Sequence, residues 1–164
     1  GTWTCGIGVR FELGLPSYAQ RGPGKESTDV SGMPVLAGLV RHAEVSRGKV
    51  EHALRVGIAC AGEGFVAPAS SGRPFGDCTE PTEAQIPVGL RLRLPADYDL
   101  SAVEGEARVI AQAMQTYGLI IAFRGSNMFL EGEEDARWDD GALATLKTIP
   151  GTAFEVVGPV VLGP

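Results

Sequence analysis

The stretch V-E-H-A-L-R-V-G-I-A-C, residues 50–60, decides how this chain is read. Side chains of an extended backbone alternate between two faces, so this stretch has a strand-like register with Leu54, Val56 and Ile58 on one face. The same alternation recurs at V-G-L-R-L-R-L, residues 88–94. There Val88, Leu90, Leu92 and Leu94 point inward, and Arg91 and Arg93 point outward. It recurs again near the start, where Ile7, Val9, Phe11 and Leu13 are separated by Gly8, Arg10 and Glu12. Residues 119–123 and 127–130 predict a hairpin turning at Arg124-Gly125-Ser126, and residues 153–157 predict a last strand after Pro150-Gly151. The apolar stretch M-P-V-L-A-G-L-V, residues 33–40, fits a buried strand or a core-lining turn.

One long helix interrupts this series, over residues 104–117. Ser101 and Glu104 have capping-box spacing, and Val109, Ile110, Ala113, Met114 and Tyr117 form an apolar stripe. Gly118 stands where a left-handed cap ends such a helix. A short second helix is expected over residues 141–147, capped by Asp139 or Asp140. The 23 Gly and 11 Pro, without a collagen period, call for many turns. The expected fold is mostly β: an antiparallel β-sandwich or jelly roll with one central helix. A chain of 164 residues suits a single domain, 1–164.

The formal charge of -6 opposes binding to phosphate backbones, and Glu44 and Gly48 interrupt the basic residues between Arg41 and Lys49. Nucleic acid is therefore not an expected partner. No apolar run is long enough to span a bilayer. Of the three cysteines, Cys60 and Cys78 flank a loop rich in Gly, Pro and Ser. A disulfide there would stabilise the fold by roughly 3 kcal/mol in the chain-entropy model; the alternative is two inert buried thiols. Cys5 is left without a partner in that scheme.

Several stretches together resemble a family of secreted, largely uncharacterised bacterial proteins. They are G-M-P-V-L-A-G-L-V-R-H-A-E-V from Gly32, R-G-K-V-E-H-A-L-R-V from Arg47, G-L-R-L-R-L from Gly89, A-R-V-I-A-Q-A-M-Q-T-Y-G-L-I-I-A from Ala107, R-W-D-D from Arg137 and P-G-T-A-F-E-V-V from Pro150. The similarity runs from about Trp3 to Val157. Members are larger and are often found in bacteria that degrade plant or microbial polymers. The resemblance implies export, a secreted or extracytoplasmic location, and a domain whose N-terminal portion precedes Gly1. In that case strand 7–13 would lie at an open sheet edge and pair with another chain or an upstream segment. The chain departs from the family pattern at two places. Residues 67–71 read A-P-A-S-S where members carry a W-P-A-R-H-like stretch, and residues 123–128 read F-R-G-S-N-M where members carry D-N-G-S-D-W.

No catalytic motif is present. Ala19 and Glu26 break the phosphate-loop pattern around Gly24-Lys25, and G-x-S-x-G does not occur. The densest charge cluster is Glu131, Glu133, Glu134, Asp135, Asp139 and Asp140. Glu131, Glu133, Asp135 and Asp139 are the candidate oxygens for a calcium ion, weighed against a solvated loop and a helix cap. No other cofactor is expected. His42 and Glu44 stand two apart and would form an acid/base pair or half a metal site; His52 fits a hydrogen-bonded structural role. Glu44, Glu51, Asp97 and Asp99 are the remaining carboxylates to consider for glycoside cleavage. Tyr18, Phe75 and Trp138 lie in polar, loop-like sequence and are the candidate platform for stacking on sugar rings. The expected function is an extracellular, non-catalytic domain that binds a glycan or packs in a larger secreted assembly. The alternatives are a carboxylate-based glycoside hydrolase and a structural subunit.

Overall fold

The computed structural model describes residues 4, 9–11, 29–80 and 86–158. Its most deeply buried strand is β1, Leu54–Ile58, and every one of its residues is buried. β2 is Arg91–Arg93, β3 Leu119–Arg124, β4 Phe129–Leu130 and β5 Glu155–Val156, and they form one sheet in the order β4-β1-β3-β2-β5. β1 and β3 run parallel, and the other pairings are antiparallel. Among the described residues this is one open mixed sheet carrying helices, which corrects the expectation of an antiparallel β-sandwich or jelly roll. The physical reason is the long helix. Leading from β2 into β3, it covers one face of the sheet with apolar side chains where a sandwich would need a second sheet.

That helix is α3, Gly105–Thr116. Its buried residues include Ala107, Ile110, Ala111 and Met114, an i, i+3, i+4, i+7 stripe. The stripe is shifted from the expected one: Val109 is only partly buried, and Tyr117 is exposed at 36%. Ser101 does not cap the helix. Its amide and hydroxyl both donate to Asp99, and the N-cap is Glu104, without a side-chain cap bond. Gly118 closes the other end as expected, at φ 78°. A Cβ there would also come within 2.3 Å of the Leu92 carbonyl, so glycine satisfies both the left-handed turn and the close approach of β2.

The hairpin expected after β3 does not form. β4 pairs with β1, on the far side from β3. The turn is drawn over the end of β1 by Gly125 N–H donating to Ile58 O at 3.0 Å and by Ala59 N–H donating to Asn127 Oδ1 at 2.9 Å. Residues 33–40 resolve as a short helix, α1 at Val35–Gly38, followed by Val40, which bridges to Gly132. The helix α2, His42–Val45, comes next. The second predicted helix is α4, Asp140–Ala144, continued by a 3-10 turn at Thr145–Thr148, and Asp139 caps it by accepting from Ala142 N–H. The last strand is shorter than expected, because Gly151–Ala153 form a 3-10 turn. Strand 7–13 lies outside the described residues except for Val9, Arg10 and Phe11, which are not in a strand.

The main core lies between α3 and the sheet, with Leu54, Val56, Leu94, Val103, Leu119 and Ile121 almost wholly enclosed. Opposite, Met33, Ile120 and Ala122 form a smaller cluster, packed by Ala53 and Phe123. Cys60 and Cys78 form a disulfide, with Cα atoms 5.4 Å apart. No helix among the described residues is long and apolar enough to cross a membrane.

Candidate functional site

Alternation along β1 turns Arg55 away from the main core and onto the second face. Its side chain is only 4% exposed. A buried guanidinium needs carboxylate partners to offset the loss of water. Arg55 Nε donates to Glu131 at 2.8 Å, and Nη2 donates to Asp29. The guanidinium carbon lies 5.6 Å from the centre of the Phe123 ring, while Nη1 is buried without a hydrogen-bond partner among the described residues. A small cavity of about 150 Å³ adjoins it, lined among others by Met33, Ala37 and Pro68. Pro68 thus closes the cavity beside the arginine, and the Phe123 ring lies against the guanidinium.

On the other side of α1 lies a larger groove of about 740 Å³. Pro34 and Ala37 belong to the walls of both. Val9, Phe11 and Leu36 supply apolar wall, and Leu36 is 63% exposed. Arg41, Glu44, Glu51 and His52 supply the polar wall. Arg41 reaches one turn along α2 and binds both Glu44 oxygens, through Nε at 3.0 Å and Nη2 at 2.8 Å. His52 Nε2 lies 3.3 Å from Glu44 Oε2, and its Nδ1 lies 3.0 Å from the Ala53 carbonyl oxygen. Both ring nitrogens therefore face acceptor oxygens. The Arg41 guanidinium, aided by His52, holds the Glu44 carboxyl below the usual carboxylate range. In return, the Glu44 bond raises Arg41.

His42 and Glu44 do not pair, because residues two apart on a helix project to different sides. Instead His42 Nε2 meets Glu106 Oε1 on α3 at 3.2 Å, while Glu44 meets His52. His42 Nδ1 is buried without a hydrogen-bond partner among the described residues, and its ring meets the Trp138 ring edge-on at 4.9 Å between centroids.

The four calcium candidates are dispersed, each to a protein donor. Glu131 accepts from Arg55, and Glu133 Oε1 accepts from the His42 backbone N–H at 2.6 Å. Asp135 binds Arg137 through the side chain and the backbone N–H, which pushes its carboxyl far down. Asp139 caps α4. The described residues hold no group of three or more His, Cys, Asp or Glu placed to bind a metal ion. A run of acids in sequence needs a loop that folds back on itself to become a cation cage. Here the run is spread along an extended segment that ties β4, α2 and α4 together.

Two members of the aromatic platform are tied into the fold. Phe75 is half-buried against the core and pairs its backbone with Ala61. Trp138 also packs on the core and donates Nε1–H to the Glu133 carbonyl at 2.9 Å. Tyr18 lies outside the described residues. Sequence pattern does not mark Leu36, Arg41 and His52 as groove residues: Leu36 stands in an apolar run, and its exposure is set by the fold. No family model, no curated protein and no solved structure matches the chain.

Proposed function

We propose that this is an extracellular, non-catalytic glycan-binding domain, and that the groove beside α1 is its binding site. The observation that carries the reading is the groove's composition. Apolar wall from half-buried Phe11 and exposed Leu36 faces an anion, Glu44, bound by Arg41 and met by His52. A sugar presents an apolar ring face and a rim of hydroxyls, and such a groove meets both. The disulfide and the resemblance to secreted proteins of polymer-degrading bacteria support an exported setting.

A glycosidase needs one carboxyl kept protonated at working pH, which requires an environment that raises its affinity for the proton. Glu44 stands in the opposite environment: both of its oxygens are occupied by cationic donors and it is held ionised. That supports binding over hydrolysis.

A soluble-glycan array run beside a reducing-sugar assay tests the reading. The expected result is retention of a polymeric glycan by the unaltered chain, no release of reducing ends, and loss of retention in Leu36→Glu. Reducing ends released by the unaltered chain but not by Glu44→Gln would overturn it, and so would an array without a hit.

A further inference from the structure

We infer that a second cavity, between the end of α3, the turn before β4 and the segment after α4, binds a small apolar monocarboxylate. The cavity has a volume of about 440 Å³, within the range of small-molecule sites. Its walls include Met114 from α3, Met128 from the turn, Leu146 from the 3-10 turn and Phe154 before β5. Two thioethers in one wall adapt to the shape of an apolar guest better than branched side chains do.

The polar lining has one sign. Lys147 and Asn127 line the cavity, and no acidic side chain does among the described residues. This is notable in a chain with 20 acidic and 14 basic residues. Lys147 is exposed and has no ion pair among the described residues, so its ammonium group is free to meet an anion. Asn127 Oδ1 already accepts from Ala59 N–H, which leaves its Nδ2–H₂ to donate. A carboxylate is a pure acceptor and matches both groups, with its apolar body directed at the methionines.

The backbone carries an independent mark at the same place. Met128 has φ 59°, and it is the only residue other than glycine with positive φ among those described. That conformation is unfavourable for an L side chain, and such residues cluster at ligand clamps. Here the conformation seats the Met128 side chain in the cavity wall.

The test uses the full chain with its methionine methyl groups labelled with carbon-13, titrated with decanoate below its micelle concentration and followed by NMR. The chain has three methionines. Met114 and Met128 line this cavity, whereas Met33 lines the small cavity beside Arg55. Expected are shifts at Met114 and Met128 with Met33 unmoved, and about tenfold or greater loss of affinity in Lys147→Gln. Decanol, with the same tail and no charge, should bind the unaltered chain more weakly than decanoate and bind both chains alike. No shift, a shift at Met33 alone or at all three methionines, or full affinity in Lys147→Gln would overturn the inference.

Discussion

The two faces of β1 are equally dry and chemically opposite. On one, Leu54 and Val56 are fully enclosed among the apolar side chains of α3 and β3. On the other, Arg55 is 3% exposed and lies between two carboxylates and a phenylalanine ring. Gly57 follows it on that face, where a Cβ would come within 2.5 Å of the Phe123 ring. The first face is held by the area it removes from water and tolerates apolar exchanges that keep the volume. The second is held by a specific set of partners, and the failure of one leaves a charge stranded. The difference teaches where a single substitution is least tolerated: on the second face, at Arg55 and its partners.

The largest expected effect follows from that stranding. Arg55→Met removes the cation and leaves Asp29 and Glu131 facing a low-polarity pocket, which should cost about 3–5 kcal/mol. Urea unfolding at neutral pH measures it. Adding Glu131→Gln to the same chain should recover part of the loss. A single-variant cost below about 1 kcal/mol would show that the second face is wetter than its burial indicates.

The apolar face gives the next largest change. Met114→Ala should cost about 2–5 kcal/mol, because the thioether is 3% exposed and its removal leaves a void. No second substitution elsewhere should restore it in the way that Glu131→Gln restores the arginine variant, since dispersion losses are shared among many neighbours. A change below about 0.5 kcal/mol would place Met114 on the surface and break the contrast between the faces.

How much of this could be read from the sequence differs between the same two faces. The spacing of Leu54, Val56 and Ile58, the helix around Met114, its glycine stop and the Asp139 cap all follow from local rules, and the structure contains them. The burial of Arg55 does not follow, because its partners stand 26 and 76 residues away and a period of two marks it simply as the side opposite the core. The order of the sheet was hidden for a related reason. Residues 119–130 have the alternation of a hairpin, but long-range bonds from Ile58 and Ala59 divert the second strand across β1. Among the site residues, the Cys60–Cys78 pair was legible from its Gly/Pro-rich loop. The acidic cluster was misleading, because carboxylates adjacent in sequence were recruited one by one by donors from four different segments.

The smallest expected effect sharpens the comparison by moving the same chemistry to the surface. Arg41 and Glu44 repeat the arginine–carboxylate pairing of Arg55, but the Arg41 side chain is 39% exposed. Water screens this pair, so Glu44→Gln should cost less than about 1 kcal/mol at pH 7. Its pH dependence is diagnostic. Glu44 is held below the usual value of 4.5 by the Arg41 hydrogen bonds first, with His52 adding to them. A group depressed in the folded state binds fewer protons there than in the unfolded chain above its folded pKa, so its contribution is fully present above the ordinary carboxylate pKa. The contribution falls as the pH drops below that value and vanishes once the folded-state carboxyl is itself protonated. The stability difference between the unaltered chain and Glu44→Gln, measured by urea unfolding at a series of pH values, should therefore be constant at and above neutrality and close towards zero in acid. A difference that instead widens in acid would mean that Glu44 is stabilised in its protonated form. That would remove the anion from the proposed glycan groove and return the hydrolase reading to favour.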